Sequence, residues 1–474
     1  MDTREGPLNP RVVLFNVSLG MFMTALNHRA IFVSLPTLTR VFQTSVSTIQ
    51  WALLVYDLTL IGLVLTLGRM GDLYGRKRIY TSGFLVFGLG SALCGFSRSP
   101  AELIVFRVVQ AVGGAMLTAN GRALVTVAFP AAERGKALGL TQMAFHVGFL
   151  TGPTLGGFLI DSAGWQWIFF LNVPVAVAGA YLARRTLPES LADRQSARLD
   201  FLGAALLLAA NTAFLYALNQ APHLGFRHPR VISLIVVSAV TLCLFIVTEL
   251  RVGAPVLSLS LFRNRLFSTA NLSLFCITST QSAINFLMPF YLESIMGFTP
   301  SQMGWIIITN SAVIIVVGPL AGWLSDRLGS RSLCTLGSAL IVLAQFFIAS
   351  LTFDASVIRI ILPLALSGLG WAIFNAPNQS AIFGSVPRDK LGVASGVSTT
   401  TARVGGAAGV ALSAALFTYG LAAAGLSPLQ IESPQYWSSA PRIFMGSFRY
   451  TVHIINLFTM LSVLFSAARG GRRS

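Results

Sequence analysis

Four arginines and two carboxylates stand inside long apolar runs: Arg29, Arg107, Arg122 and Arg403, with Asp57 and Glu293. A charge within a membrane-spanning segment is costly unless it faces protein or water. Each is therefore a candidate for binding or coupling. Arg29 lies seven residues from one end of its run, and Asp57 lies eight from the same side of the next. At about 1.5 Å per helical residue both sit roughly 10–12 Å deep. An ion pair between them is expected. Beside a guanidinium a carboxylate stays ionised, and it can take a proton once the base turns to another anion. Asp57 is then the best proton carrier in the first half of the chain; the competing reading is a fixed strut.

Uncharged polar groups mark further positions. Arg107, Gln110 and Gly114 share one helical face at i, i+3 and i+7. Asn27 lies two residues before Arg29, and His146 interrupts the run around 136–160. Asn271, Thr278, Ser282, Asn285, Pro289 and Glu293 form a stripe with Gln281 beside it. That face is expected to line water or substrate, or to seam two helices. Asn375 sits among Gly368, Gly370, Trp371 and Pro377, the irregular composition of a broken, cavity-lining helix. Arg403 is flanked by Gly405, Gly406 and Gly409. These groups suit a path for a small molecule.

Enzyme chemistry finds little support. The five histidines are scattered, and the four cysteines lie in apolar segments without Cys-x-x-Cys spacing. No metal site, disulfide framework or cofactor is expected. A polytopic membrane enzyme remains a distant alternative.

The elements that must position these residues are apolar and long. The 474 residues are 54% hydrophobic and only 10% charged, against about 25% charged in soluble domains. We read an all-α membrane protein with fourteen transmembrane segments, roughly 12–36, 49–70, 79–97, 101–128, 136–160, 165–184, 200–220, 230–250, 266–295, 302–325, 332–351, 357–384, 392–421 and 448–468. The net charge of +17 gathers in alternate connections, such as Arg134 with Lys136 and Arg388 with Lys390. That bias orients a chain with both termini cytoplasmic in the cell membrane. No basic patch is interleaved with aromatics, so nucleic acid is not a partner. An uncleaved first segment, rather than a removed signal peptide, fits the N-terminus.

Two patterns are more specific. Gly68-Arg-Met-Gly-Asp72-Leu-Tyr-Gly75-Arg76-Lys-Arg joins the second and third segments, and its spacing returns at Gly322, Asp326, Gly329 and Arg331, with Arg327 beside it. Gly75 can take positive φ and close the turn tightly. A repeated loop implies a duplicated bundle. In the fifth segment, Gly148, Gly152 and Gly156 form a smooth strip that lets another helix approach, with Pro153 bending the segment and Gly157 following.

Together these motifs resemble the major facilitator superfamily, and the glycine string with Gly164-Trp-Gln-Trp resembles its fourteen-helix drug:proton antiporters. The resemblance covers nearly the whole chain. It implies two pseudo-symmetric six-helix bundles, 12–185 and 266–468, with two inserted helices within 200–250. It implies that Gly68, Asp72, Gly75 and Arg76, with Asp326 and Arg327, form a cytoplasmic gate. Arg107 and Gln110 match a helix-4 signature tied to proton coupling, with Ala111 where glycine is usual. The run from Gly148 to Gly157 matches the exporter motif. One departure stands out: the family's acid is replaced by Asn27, and Arg29 stands where Thr is usual. The chain is thus expected to be a monomeric secondary transporter in the lipid bilayer. It would export small amphiphilic or drug-like molecules by alternating access, coupled to protons. Scarce acids favour the alternative of an organic anion or lipid-like metabolite moved without proton antiport.

Overall fold

The computed structural model describes residues 10–130, 134–187, 201–224, 227–251, 259–386, 391–426 and 435–469. Every regular element among them is helical. In order they are α1 (Pro10–Val41), α2 (Val46–Ile49), α3 (Trp51–Tyr74), α4 (Arg76–Gly95), α5 (Pro100–Ala128), α6 (Arg134–Ala163), α7 (Trp167–Phe170), α8 (Asn172–Thr186), α9 (Phe201–Leu224) and α10 (Pro229–Arg251). There follow α11 (Arg265–Phe290), running into a π-helical turn Tyr291–Ile295, then α12 (Pro300–Leu328), α13 (Ser330–Ala349), α14 (Val357–Gly384), α15 (Leu391–Ala423), α16 (Gln435–Ser439) and α17 (Pro441–Ala467). Among the described residues, ten candidate spans are long and apolar enough to cross a membrane. Helices α1, α4, α9 and α11 give none of them. The reason is plain for α1 and α11. They carry Asn27, His28 and Arg29 in one case and Thr278, Gln281, Ser282 and Asn285 in the other, so the polarity that marks a pathway lowers their hydropathy.

The chain divides into two compact units, Met1–Ser34 with Trp51–Leu208, and Leu35–Gln50 with Ala209–Ser474. In the first, Tyr80, Phe84 and Phe87 of α4 are fully enclosed with Met116 and Leu117 of α5. The two helices approach through glycines: a methyl on Gly83 would lie 2.8 Å from the Met116 side chain, and one on Gly113 would strike the Phe87 backbone. Ser99 caps α5 by accepting from Glu102 N at 3.2 Å, while the Glu102 carboxylate accepts from Arg98 N at 2.7 Å. Pro100 occupies the first turn. These groups satisfy amides that a helix start leaves open. Gly75 and Gly329 stand at matching places before α4 and α13, at φ 99° and 77°. Both adopt the left-handed region that other residues resist.

The second unit is tied by hydroxyl and amide groups. Thr459 of α17 meets Thr280 of α11 at 3.0 Å and Gln345 of α13 at 3.1 Å. One turn or more away, Ser338 meets Ser462 at 3.1 Å and Ser466 donates to Ser273 at 3.2 Å. Between apolar helices such bonds are the directional adhesive that hydrophobicity cannot supply in lipid. Helix α1 passes from one unit to the other, and Pro36, which lacks the N–H to continue the ladder, falls just beyond that division. Past it, Arg40 pairs with Glu293 on the π-helical turn at 2.7 Å.

Candidate functional site

The first unit buries a hydrogen-bonded cluster around one guanidinium. Arg107 projects from α5 and is completely enclosed. Its Nε donates to the Ala52 carbonyl of α3 at 2.9 Å, and its Nη1 donates to Asn27 Oδ1 of α1 at 2.8 Å and to Gln110 Oε1 at 2.5 Å. Gln110 Nε2 then donates to Ser91 Oγ of α4 at 2.7 Å. The guanidinium carbon also lies 4.3 Å from the centre of the Tyr56 ring. Thus four helices, α1, α3, α4 and α5, converge on one arginine. Its Nη2 and the Asn27 Nδ2 are enclosed donors with no partner among the described residues. Asp57, half-buried beside Tyr56, lies within electrostatic reach of Arg107.

Arg29 is turned elsewhere. Its guanidinium carbon lies 4.3 Å from the Phe149 ring centre and 5.5 Å from that of Phe32, and its Nε is enclosed without a partner among the described residues. Stacking on rings shelters a weakly hydrated guanidinium. The expected contact of Arg29 with Asp57 is therefore corrected: rings surround Arg29. Equal depth placed the two at one level, but the direction around α1 sends Arg29 toward α6 and Asn27 toward α5.

The glycine strip explains that direction. A methyl on Gly148 would strike the Phe22 carbonyl, one on Gly152 would lie 2.7 Å from Arg29 Cβ and 2.9 Å from the Leu26 carbonyl, and one on Gly156 would lie 2.9 Å from Ala30 Cβ. The three glycines thus let α6 lie directly on α1, with Pro153 and Gly157 buried beside them. Gly152→Leu is expected to drive the helices apart and abolish transport. Gly156→Ala should be milder, because it adds one carbon rather than four, but its methyl at 2.9 Å from Ala30 Cβ still forces the helices to shift. Overpacking typically destabilises by about 1–3 kcal/mol. Flux in proteoliposomes and thermal melting check this, and equal wild-type flux in both variants would refute it. His146, on the same helix, is exposed.

In the second unit, Gln281 and Asn285 of α11 line a small cavity with Asn310 of α12, Ser367 of α14 and four apolar side chains. Ser367 donates to Gln281 Oε1 at 2.9 Å and Asn310 to the Leu364 carbonyl at 3.2 Å. The cavity holds about 10 Å³, room for about one water. Asn375 and Arg403 are half-buried on α14 and α15 and are not among its walls. Of the gate positions, Gly68 and Arg76 are half-buried and Gly75 closes the turn. The side chains of Asp72, Asp326, Arg327 and Arg122 lie outside the described residues.

Arg469 is a group that sequence reasoning missed. It follows α17 and reads as one more basic tail residue, yet it is 1% exposed. Its Nη2 donates to Asn378 Oδ1 of α14, and the guanidinium lies 5.9 Å from the Phe374 ring centre. Only the abrupt end of the apolar run two residues earlier hinted that it could fold back. Arg469→Ala is expected to lower thermal stability by about 1–3 kcal/mol through the unsatisfied Asn378. An unchanged melting temperature would show that the contact is dispensable. Ser91, Asn310 and Ser367 were missed for another reason: single polar residues in apolar helices are common.

The profile of the Major Facilitator Superfamily matches residues 17–410. The chain belongs to that superfamily. It is 31% identical over 441 residues to the riboflavin transporter RibZ of Clostridioides difficile (strain 630), covering 92% of this chain and 95% of that one. Multidrug resistance protein Stp of Mycobacterium tuberculosis (strain CDC 1551 / Oshkosh) is 31% identical over 402 residues, covering 85% and 74%. The tetracenomycin C resistance and export protein of Streptomyces glaucescens is 27% identical over 403 residues, covering 85% and 75%. Among solved structures, a bacterial homologue of the human lysosomal transporter Spinster, inward-facing and unoccupied, superposes with a TM-score of 0.71 at 16% identity, over 97% of this chain and 96% of that one. This major facilitator protein is a multi-pass transporter of a small molecule, not an enzyme.

Proposed function

We propose that this major facilitator protein is a fourteen-helix, proton-coupled exporter of small amphiphilic molecules, monomeric in the cell membrane with both termini cytoplasmic. In this reading α1, α4, α9 and α11 cross the bilayer with the ten more apolar spans, and two bundles, 12–185 and 266–468, flank inserted helices within 200–250. The observation that carries it is the enclosed Arg107 cluster, four helices meeting on one cation with the Asp57 carboxylate in electrostatic reach. A buried cation near an acid lets substrate binding and proton release compete for one charge. Export is supported by the glycine strip of α6 against α1 and by the drug-export relatives.

A second reading has its own support. Asn27 accepts from Arg107 where the family's acid is absent, so the charge of Arg107 meets a neutral amide. That favours an acceptor-rich or anionic substrate, and RibZ makes riboflavin the first probe to try. Proteoliposomes loaded with riboflavin or a lipophilic cationic dye, with and without an imposed pH gradient, separate the readings. Gradient-driven movement of the dye supports proton-coupled export. Flux of riboflavin indifferent to the gradient supports the second reading.

A further inference from the structure

An apolar groove of about 720 Å³ runs along α14 in the second unit. Val313 of α12, Phe347 of α13, and Leu362, Pro363, Leu366 and Leu369 of α14 form its walls. Leu362 is 62% and Phe347 49% exposed, so the groove opens sideways on the surface that a spanning bundle gives to lipid. From Arg359 to Leu369 it follows α14 for about 15 Å. A bilayer's hydrocarbon is about 30 Å thick. The groove therefore has the length of one leaflet.

Its mouth is charged. Arg359 lines it and is exposed. Arg449 of α17 donates through Nη2 to the carbonyl of Leu351, another wall residue, at 3.1 Å. The Tyr291 hydroxyl donates to the Thr352 carbonyl at 2.8 Å, which fixes the same connection between α13 and α14. The exposed Asp354 carboxylate accepts from Thr352 and from its own backbone, and the Arg359 charge adds attraction, which together hold it below the usual carboxylate range. Two guanidinium groups against one carboxylate leave the mouth positive.

We propose that this groove holds an acyl chain of an anionic glycerophospholipid whose phosphate rests on Arg359. The apolar trough, its one-leaflet length and the positive mouth fit that amphiphile together. A neutral hydrophobic solute would use only the trough. A zwitterionic headgroup would bring an ammonium to a site already positive. The site is confined to the second unit and does not depend on substrate, coupling ion or direction of transport.

The test uses the full-length protein in mixed micelles, titrated with phosphatidylglycerol or phosphatidylethanolamine and read by native mass spectrometry. Wild type should retain phosphatidylglycerol over phosphatidylethanolamine. Arg359→Gln should lower that retention about fivefold with an unchanged melting temperature. Leu366→Trp should fill the trough and remove retention, and Ala365→Phe should do the same if the tryptophan variant does not fold. Equal retention of both lipids, phosphatidylglycerol retention unmoved by Arg359→Gln, or retention surviving a filled trough would each overturn the proposal. So would displacement of the lipid by a neutral hydrophobic dye that binds Arg359→Gln and wild type alike.

Discussion

Arg107→Lys is expected to abolish transport while the protein still inserts in the membrane. Lysine keeps the charge but not the fork. It cannot reproduce the Nε donation to Ala52 together with the Nη1 donations to Asn27 and Gln110, nor the flat contact with Tyr56. Hydrogen bonds to a charged group are worth about 1.5–3 kcal/mol each, and a buried partner left open adds its own penalty. Losing two of three should cost the first unit about 3–5 kcal/mol if nothing relaxes. A charged ammonium in the same space will draw Asn27 or Gln110 toward it, so the measured loss of stability should fall below that figure, at about 2–3 kcal/mol. Transport should fail more completely than folding, because α1, α3, α4 and α5 all meet at this one side chain. Arg107→Ala removes the buried charge and should be no worse in melting temperature than Arg107→Lys, though equally inactive. The measurement is flux in proteoliposomes beside thermal melting in detergent. A lysine variant with more than about half the wild-type flux would show that charge alone suffices.

How much of this was readable beforehand depends on which physical property carried the signal. The helices follow from apolar length, and the positive φ of Gly75 and Gly329 follows from loops too short for any other closure. The strip of Gly148, Gly152 and Gly156 told that a helix would approach, and α1 is the helix that does. Azimuth was harder. Depth along a helix is a count of residues, but direction around it depends on which neighbour each face meets. Asn27 and Arg29 are two residues apart, about 200° around the axis. One therefore joins α5 and the other α6, and a depth argument alone paired Arg29 with the wrong group. Arg469 failed for a different reason: a guanidinium after the last apolar residue reads as solvent-facing, and only tertiary contact with Asn378 draws it in. Asn310 and Ser367 gave no signal, since one amide or hydroxyl in an apolar helix commonly bonds its own backbone.

Asp57→Asn is expected to uncouple the protein rather than unfold it. Asp57 lies next to Tyr56, the ring on which Arg107 rests, and its charge reaches that guanidinium. It is half-buried and titratable, whereas Asn27 holds no proton. A substrate acceptor that engages Nη2 of Arg107 competes with the Asp57 carboxylate for one positive charge, an exchange that can be linked to a proton. Neutral asparagine removes the exchange but leaves the Arg107 donors in place. Gradient-driven flux should fall to the level seen with no gradient, while counterflow of the same substrate should stay within about threefold of wild type, a difference of well under 1 kcal/mol in binding. Asn27→Asp provides the converse. It sets a carboxylate where Oδ1 already accepts from Arg107 at 2.8 Å. In the Asp57→Asn background it should restore part of the response to a pH gradient, because the same cation again has an acid to trade with. Full gradient-driven flux in Asp57→Asn alone would end the coupling role of Asp57 and leave it a structural neighbour of Arg107.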